Sequence, residues 1–122
     1  MTSHLFVYGS LVPGGLHHDL MEPVGGQWRK AQLRGYYSPD GWGHCGDYPA
    51  IIVDTAGDAI PGWVVSSTDL MQHIPRLDEF EGEMYERIYA DTVCEDGELV
   101  SAFVYVLAGS ERRGRLSKSL LA

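Results

Sequence analysis

The chain has 122 residues, of which 44% are hydrophobic and 21% charged, and this composition is typical of one soluble globular domain spanning residues 1–122. Seventeen acidic residues against nine basic ones give a net charge of −8, which disfavours nucleic acid as a partner because phosphate binding requires a basic surface. Two cysteines are too few for a disulfide framework. No apolar run is long enough to cross a membrane, and the N-terminus lacks signal-peptide features. The expected location is therefore the cytoplasm.

The first half of the chain predicts short elements joined by glycine-rich connections. Residues 4–8 form an apolar run typical of a buried strand, and the glycines and proline of residues 9–15 predict a loop. A short helix is predicted over 17–22. The alternation over 27–37 then predicts a half-exposed strand, and residues 38–48 read as a second loop.

The second half predicts four more strands and one clear helix. The predicted strands are 49–54, 60–66, 85–94 and 99–107. The helix is indicated by apolar residues at helical spacing, which we expect to face inward: Leu70, Ile74, Leu77 and Phe80. Pro75 predicts a kink or two short helices, and Gly82 predicts the end of the helical segment.

These elements predict an α+β fold, namely a small mixed β-barrel of about six strands with short flanking helices. The tail from about residue 110 is compatible with a helix or with a loose end. Its basic residues, Arg112, Arg113, Arg115 and Lys118, fit a solvated terminus or a contact with another subunit.

The turn after the first strand is the first candidate site. An apolar strand leads into Tyr8-Gly9-Ser10-Leu11, and successive backbone amides in such a turn can form an anion-binding nest. A substrate carboxylate or an oxyanion would fit there. A simple hairpin turn is the alternative. The segment has neither the lysine of a phosphate-binding loop nor the spacing of a nucleophile elbow.

Glu81 is the candidate acid–base residue. It lies at the predicted helix end, beside Phe80 and before Gly82. A helix C-terminus disfavours negative charge and would raise the pKa of a carboxyl there, which suits a group that works as both base and acid near neutral pH. The alternative is that Glu81 belongs to a solvated acidic face.

The remaining reactive residue types predict no further site. The five histidines show no metal-binding spacing, so no metal site is expected. His44 and Cys45 are neighbours, but they and Cys94 fit small buried or surface residues at least as well as a nucleophilic pair. Six aromatic residues fit either a pocket lining or the core: Trp28, Tyr36, Tyr37, Trp42, Tyr48 and Trp63.

Taken in order, the motifs resemble one family, the gamma-glutamylcyclotransferase-like proteins, which include the AIG2-like and gamma-glutamylamine cyclotransferase branches. The matching segments are Phe6-Val7-Tyr8-Gly9-Ser10-Leu11, Tyr48-Pro49-Ala50, Gly62, Leu77-Asp78-Glu79-Phe80-Glu81-Gly82, Tyr85-Glu86-Arg87 and Ala102-Phe103-Val104-Tyr105-Val106. They span residues 4 to about 107. The loop 38–48 and the C-terminal end match no pattern of the family.

The resemblance implies a reaction and a substrate class. In such proteins the backbone of the Tyr8–Leu11 turn holds the α-carboxylate of a γ-glutamyl group, and Glu81 is the acid–base residue. The α-amine attacks the γ-carbonyl and releases 5-oxoproline and an amine or amino acid, with no cofactor. Tyr105 is a candidate for a hydroxyl contact to the substrate, whereas Asp78 and Arg87 are expected to form a structural pair.

The expected partner is thus a small γ-glutamyl compound, and the chain is expected to be a monomer or a weak homodimer. The alternative function is a non-catalytic module that binds a γ-glutamyl or other carboxylate ligand in the same cavity. The motifs do not identify the leaving amine.

Overall fold

The computed structural model describes residues 1–43 and 48–109. Its six strands are β1 (Ser3–Val7), β2 (Gln27–Ser38), β3 (Ala50–Val53), β4 (Asp58–Ser67), β5 (Tyr85–Cys94) and β6 (Leu99–Leu107). Two short 3₁₀ helices span His18–Val24 and Gly41–Gly43, and one α-helix, α1, spans Leu70–Glu81. The predicted tail from residue 110 and the predicted pair His44 and Cys45 lie outside the described residues.

Five of the strands close into a barrel. The order β2-β4-β1-β6-β5 returns to β2 through a β5–β2 pairing, and β3 pairs with β2 on the outside of the barrel. The β1–β6 pairing is parallel and the other pairings are antiparallel. The prediction of a small mixed barrel is therefore confirmed, with five strands closing the barrel and a sixth outside it.

Strand β1 divides the hydrophobic core into two layers. Because successive side chains of a strand point to opposite faces, Phe6 packs inside the barrel, whereas Leu5 and Val7 pack outside it. The outer layer is covered by the buried face of α1, formed by Leu70, Ile74 and Leu77. This packing fixes the helix against the strand that leads into the Tyr8–Leu11 turn.

Helix α1 continues through Pro75, so the predicted alternative of two short helices is wrong. Proline removes one intrahelical hydrogen bond, the one to the carbonyl of Met71. Pro75 and Met71 are both exposed, and water can solvate that carbonyl, so the helix continues. The predicted end at Gly82 is confirmed: this residue has a φ of 76°, and its amide donates to the carbonyl of Asp78 at 3.0 Å.

No helix within residues 1–43 and 48–109 has the length and apolarity that crossing a membrane requires.

Candidate active site

The turn after β1 folds back on itself through backbone hydrogen bonds. The amide of Val12 donates to the carbonyl of Gly9 at 3.3 Å, and the amide of His17 donates to the carbonyl of Ser10 at 2.9 Å. Gly15 permits this return, because a β-carbon there would overlap the carbonyl oxygen of Ser10. Within the described residues, the amides of Gly9, Ser10 and Leu11 donate to no other group of the protein. These amides are therefore available to an anion.

A cavity of about 450 Å³ opens beside this turn. Its lining comes from the β1 end, the turn, the segment before β3, the end of α1, the start of β5 and strand β6. The lining residues are Phe6, Val7, Tyr8, Gly9, Ser10, Leu11, His17, Tyr48, Pro49, Phe80, Glu81, Met84, Tyr85 and Tyr105. Its volume is within the range of small-molecule sites, and its mixture of apolar walls with a few polar groups is typical of them.

Glu81, the last residue of α1, lines this cavity. Burial raises the pKa of its carboxyl from 4.5 to about 7, because the charged form is disfavoured away from water. The sequence predicted a raised pKa from the helix end, whereas burial is the cause in the structure. A carboxyl with this pKa takes and returns a proton readily near neutral pH.

Asp78, one turn before Glu81, anchors the end of α1 to the barrel. Its carboxylate accepts hydrogen bonds from Arg87 Nε at 3.0 Å and from the Tyr105 hydroxyl at 2.7 Å. Although partial burial acts to raise it, these two hydrogen bonds hold the pKa of Asp78 below its usual value. Burial and the bond to Asp78 raise the pKa of Tyr105 well above its usual value, so this residue stays a neutral phenol. The predicted pairing of Asp78 with Arg87 is confirmed.

Two further tyrosine hydroxyls hold the cavity walls together. The Tyr8 hydroxyl donates to the carbonyl of Tyr105 at 2.6 Å, and the Tyr85 hydroxyl donates to the carbonyl of Pro49 at 2.6 Å. The first bond joins the ends of β1 and β6, and the second joins β5 to the segment before β3. The cavity is thus bounded by parts of the chain that are fixed without a ligand.

The structure brings all the residues proposed from the sequence around this one cavity: Tyr8, Gly9, Ser10, Leu11, Glu81 and Tyr105. The predicted inward position of Leu77 is confirmed. That of Phe80 is wrong, since its ring is exposed at the cavity and contacts His17. The helical spacing places Phe80 at the edge of the apolar face, where the pattern cannot separate core from cavity wall.

Sequence reasoning missed several lining residues. Tyr48 was one of six aromatic candidates for a pocket, and it lines the cavity, whereas Trp28 and Trp63 pack on the outside of the barrel. His17 and Met84 carried no signal, because neither lies in a periodic apolar pattern. Their positions depend on how the chain turns after β1 and after α1.

The metal-ligating and nucleophilic residue types considered from the sequence do not form a site at this cavity. The described part of the chain contains no group of three His, Cys, Asp or Glu side chains placed to hold a metal ion. Cys94 is buried inside the barrel rather than in the cavity lining, and burial raises the pKa of its thiol. This agrees with a small buried residue rather than a nucleophile.

Comparison with known proteins places this chain in a family. The chain belongs to the gamma-glutamyl cyclotransferase, AIG2-like family, whose model matches residues 5–120. No curated protein matches the chain with significant sequence similarity.

Solved structures share the fold at low identity. YkqA from Bacillus subtilis is 23% identical with a TM-score of 0.69; the match covers 98% of this chain but 43% of YkqA, so the chain spans less than half of that protein. An AIG2-like protein from Mus musculus is 23% identical with a TM-score of 0.63, covering 88% of this chain and 78% of the mouse protein. A gamma-glutamyl cyclotransferase is 21% identical with a TM-score of 0.64, and the match covers 88% of this chain and 68% of that protein. These likenesses concern the fold.

Proposed function

We propose that the protein is a gamma-glutamyl cyclotransferase that converts a γ-glutamyl compound into 5-oxoproline and a free amine or amino acid. The observation that carries this proposal is the arrangement around one cavity of the partly buried carboxyl of Glu81 and the amides of Gly9, Ser10 and Leu11. Membership in a family of gamma-glutamyl cyclotransferases supports the same reaction.

In this proposal the turn after β1 binds the substrate α-carboxylate. The amides of Gly9, Ser10 and Leu11 donate to it, which gives anion binding without a basic side chain. The α-ammonium then lies near Glu81, and the γ-carbonyl faces the α-nitrogen. The Tyr105 hydroxyl already donates to Asp78, so its remaining capacity is to accept a hydrogen bond from the substrate.

The proposed reaction moves two protons from the α-nitrogen to the leaving nitrogen. The Glu81 carboxylate takes one proton from the α-ammonium, and the resulting amine attacks the γ-carbon to form the ring C–N bond. The protonated Glu81 gives its proton to the leaving nitrogen, and the γ-C–N bond breaks. Glu81 then relays the second proton from the ring nitrogen, so the leaving group departs as an ammonium and the carboxylate is restored.

Most of the acceleration is expected from positioning, because attacking and attacked atoms belong to one molecule. Effective molarities of well-oriented intramolecular reactions reach about 10⁵ M or more. A cavity that holds the chain of the γ-glutamyl group in its cyclising conformation therefore needs one proton-transfer group, and Glu81 is well suited to that task.

The test is release of 5-oxoproline from a panel of γ-glutamyl amines and dipeptides. We expect turnover by the wild type and a kcat lower by about 10²–10⁴-fold for Glu81→Gln, with binding of the substrate retained. Turnover by Glu81→Gln at the wild-type rate would contradict the mechanism. Saturable binding of the panel without product would instead favour a non-catalytic binding module.

A further inference from the structure

The mouth and the base of the cavity differ in how far their side chains are exposed to solvent. The base is formed by side chains that are almost fully buried, such as Phe6 and Tyr105. At the mouth three large apolar side chains are exposed: Phe80 by 40%, Met84 by 54% and Tyr48 by 61%. Apolar side chains exposed together at the rim of a cavity indicate a binding surface.

We infer that the leaving group is an uncharged arylalkyl amine, whose ring packs against Phe80, Met84 and Tyr48 at the cavity mouth. This inference rests on the proposed function, because it assumes that the γ-glutamyl end occupies the base beside Glu81. The part of the substrate beyond the scissile bond then lies at the mouth, where burying apolar surface is the available source of affinity.

The charges around the mouth disfavour a leaving amino acid. The described lining contains no lysine or arginine, so a second carboxylate would lose water without gaining an ammonium or guanidinium partner. The one imidazole of the lining, that of His17, packs against the ring of Phe80.

A cationic leaving group is disfavoured by desolvation. Glu79 and Glu83 are exposed and are not part of the cavity lining, so neither carboxylate lies where it would pair with an ammonium within the mouth. An ammonium seated against Phe80 and Met84 would lose part of its hydration without that compensation. An uncharged leaving group therefore fits the described mouth.

The ring of Phe80 is held in place before a ligand binds. The imidazole of His17 lies 5.2 Å from its centroid, with the two planes tilted by 59°. Such a tilted aromatic contact restricts the ring. The backbone of His17 is fixed, since its amide donates to the carbonyl of Ser10. A preordered aromatic surface favours a flat partner, because little side-chain entropy is lost on contact.

Four compounds test the inference: γ-glutamyl-phenethylamide, γ-glutamyl-ethylamide, γ-glutamyl-phenylalanine and γ-glutamyl-(4-aminobutyl)amide. The first pair differs by a ring, and the first and third differ by one carboxylate. We expect kcat/KM for the phenethylamide to exceed that for the ethylamide by about tenfold, the gain expected from burying roughly half of a phenyl group. We expect a similar excess over the other two compounds.

A pair of methionine variants locates the effect. Met84→Ala should reduce the preference for the phenethylamide over the ethylamide severalfold, because the ring loses one contact surface. Met71→Ala is the matched control: Met71 is 50% exposed and belongs to α1 but lies outside the cavity lining, so the preference should not change.

The outcomes separate the inference from the proposed reaction. Equal kcat/KM for the phenethylamide and the ethylamide, or a preference for the phenylalanine or aminobutyl compound, overturns the inference while the reaction stands. If no compound releases 5-oxoproline, the proposed function fails, and dissociation constants measured by calorimetry for the same four compounds decide the inference. Tightest binding of the phenethylamide then supports it, and any other order overturns it.

Discussion

Replacing Glu81 with glutamine removes a partly buried carboxyl while keeping the size of the side chain. Burial raises the pKa of Glu81 from 4.5 to about 7, so the folded protein holds this proton more tightly than the unfolded chain does. The wild type therefore loses stability relative to Glu81→Gln as the pH rises from about 4.5 to about 7, and the difference is complete above that range. At about 1.4 kcal/mol per pKa unit, the difference approaches about 3.5 kcal/mol.

Urea unfolding over a pH series measures this difference. We expect the variant to be more stable than the wild type at about pH 8.5, with the gap closing towards about pH 4. Glu79→Gln is the matched control, since it removes an exposed carboxyl from the same helix; its effect should stay within about 0.5 kcal/mol at both pH values. A Glu81→Gln effect that does not vary with pH would refute the raised pKa of the Glu81 carboxyl.

The same variant separates stability from catalysis. Loss of a proton-transfer group lowers kcat by about 10²–10⁴-fold, so Glu81→Gln should be the more stable and the less active protein at about pH 8.5. In the wild type, the rising limb of kcat/KM against pH should report an apparent pKa of about 7, because the carboxylate is the form that accepts the first proton. A profile without that limb would exclude Glu81 as the base.

Three other substitutions test the supports of the site. Gly15→Ala should lower kcat/KM at least about tenfold with a smaller loss of Tm, because the added carbon overlaps the Ser10 carbonyl and displaces the turn amides; unchanged kinetics would separate the turn from catalysis. Pro75→Ala should raise the urea midpoint by the equivalent of about 1 kcal/mol, since an exposed helix position regains a hydrogen bond; a lower midpoint would show that the proline geometry is required. Asp78→Asn should cost about 1 kcal/mol through its weakened bonds to Tyr105 and its lost ion pair. The native pKa of Asp78 is lowered, so that cost should diminish as the pH falls below about 4; a cost independent of pH would contradict this account.

The local elements were predictable because their signals are local. Alternation located the strands, and Gly82 located the end of α1, since each depends on a few neighbouring residues. Closure of the barrel depends instead on a β5–β2 pairing between residues about 60 positions apart, such as Ala31 and Cys94. Nothing in the short-range pattern distinguishes a closing strand from the outside strand β3.

The candidate site also combines residues that short-range sequence patterns locate with residues that they do not. The turn residues and Glu81 lie in recognisable segments, so their side of the cavity could be proposed in advance. Pro75 was misread because a sequence does not show which carbonyl the proline leaves in contact with water. Phe80 was misread because the edge of an apolar helix face serves equally as core and as cavity wall. Met84 had no signal at all.

The outside position of β3 has a consequence for how this protein can change. One wall of the cavity, at Tyr48 and Pro49, immediately precedes a strand that the barrel does not need for closure. The carboxyl lies at the end of α1 and the turn amides follow β1, and these two elements pack together in the layer outside the barrel. Substitutions at Tyr48 can therefore alter ligand preference with little effect on folding, so new substrates are accessible by mutation without loss of the scaffold.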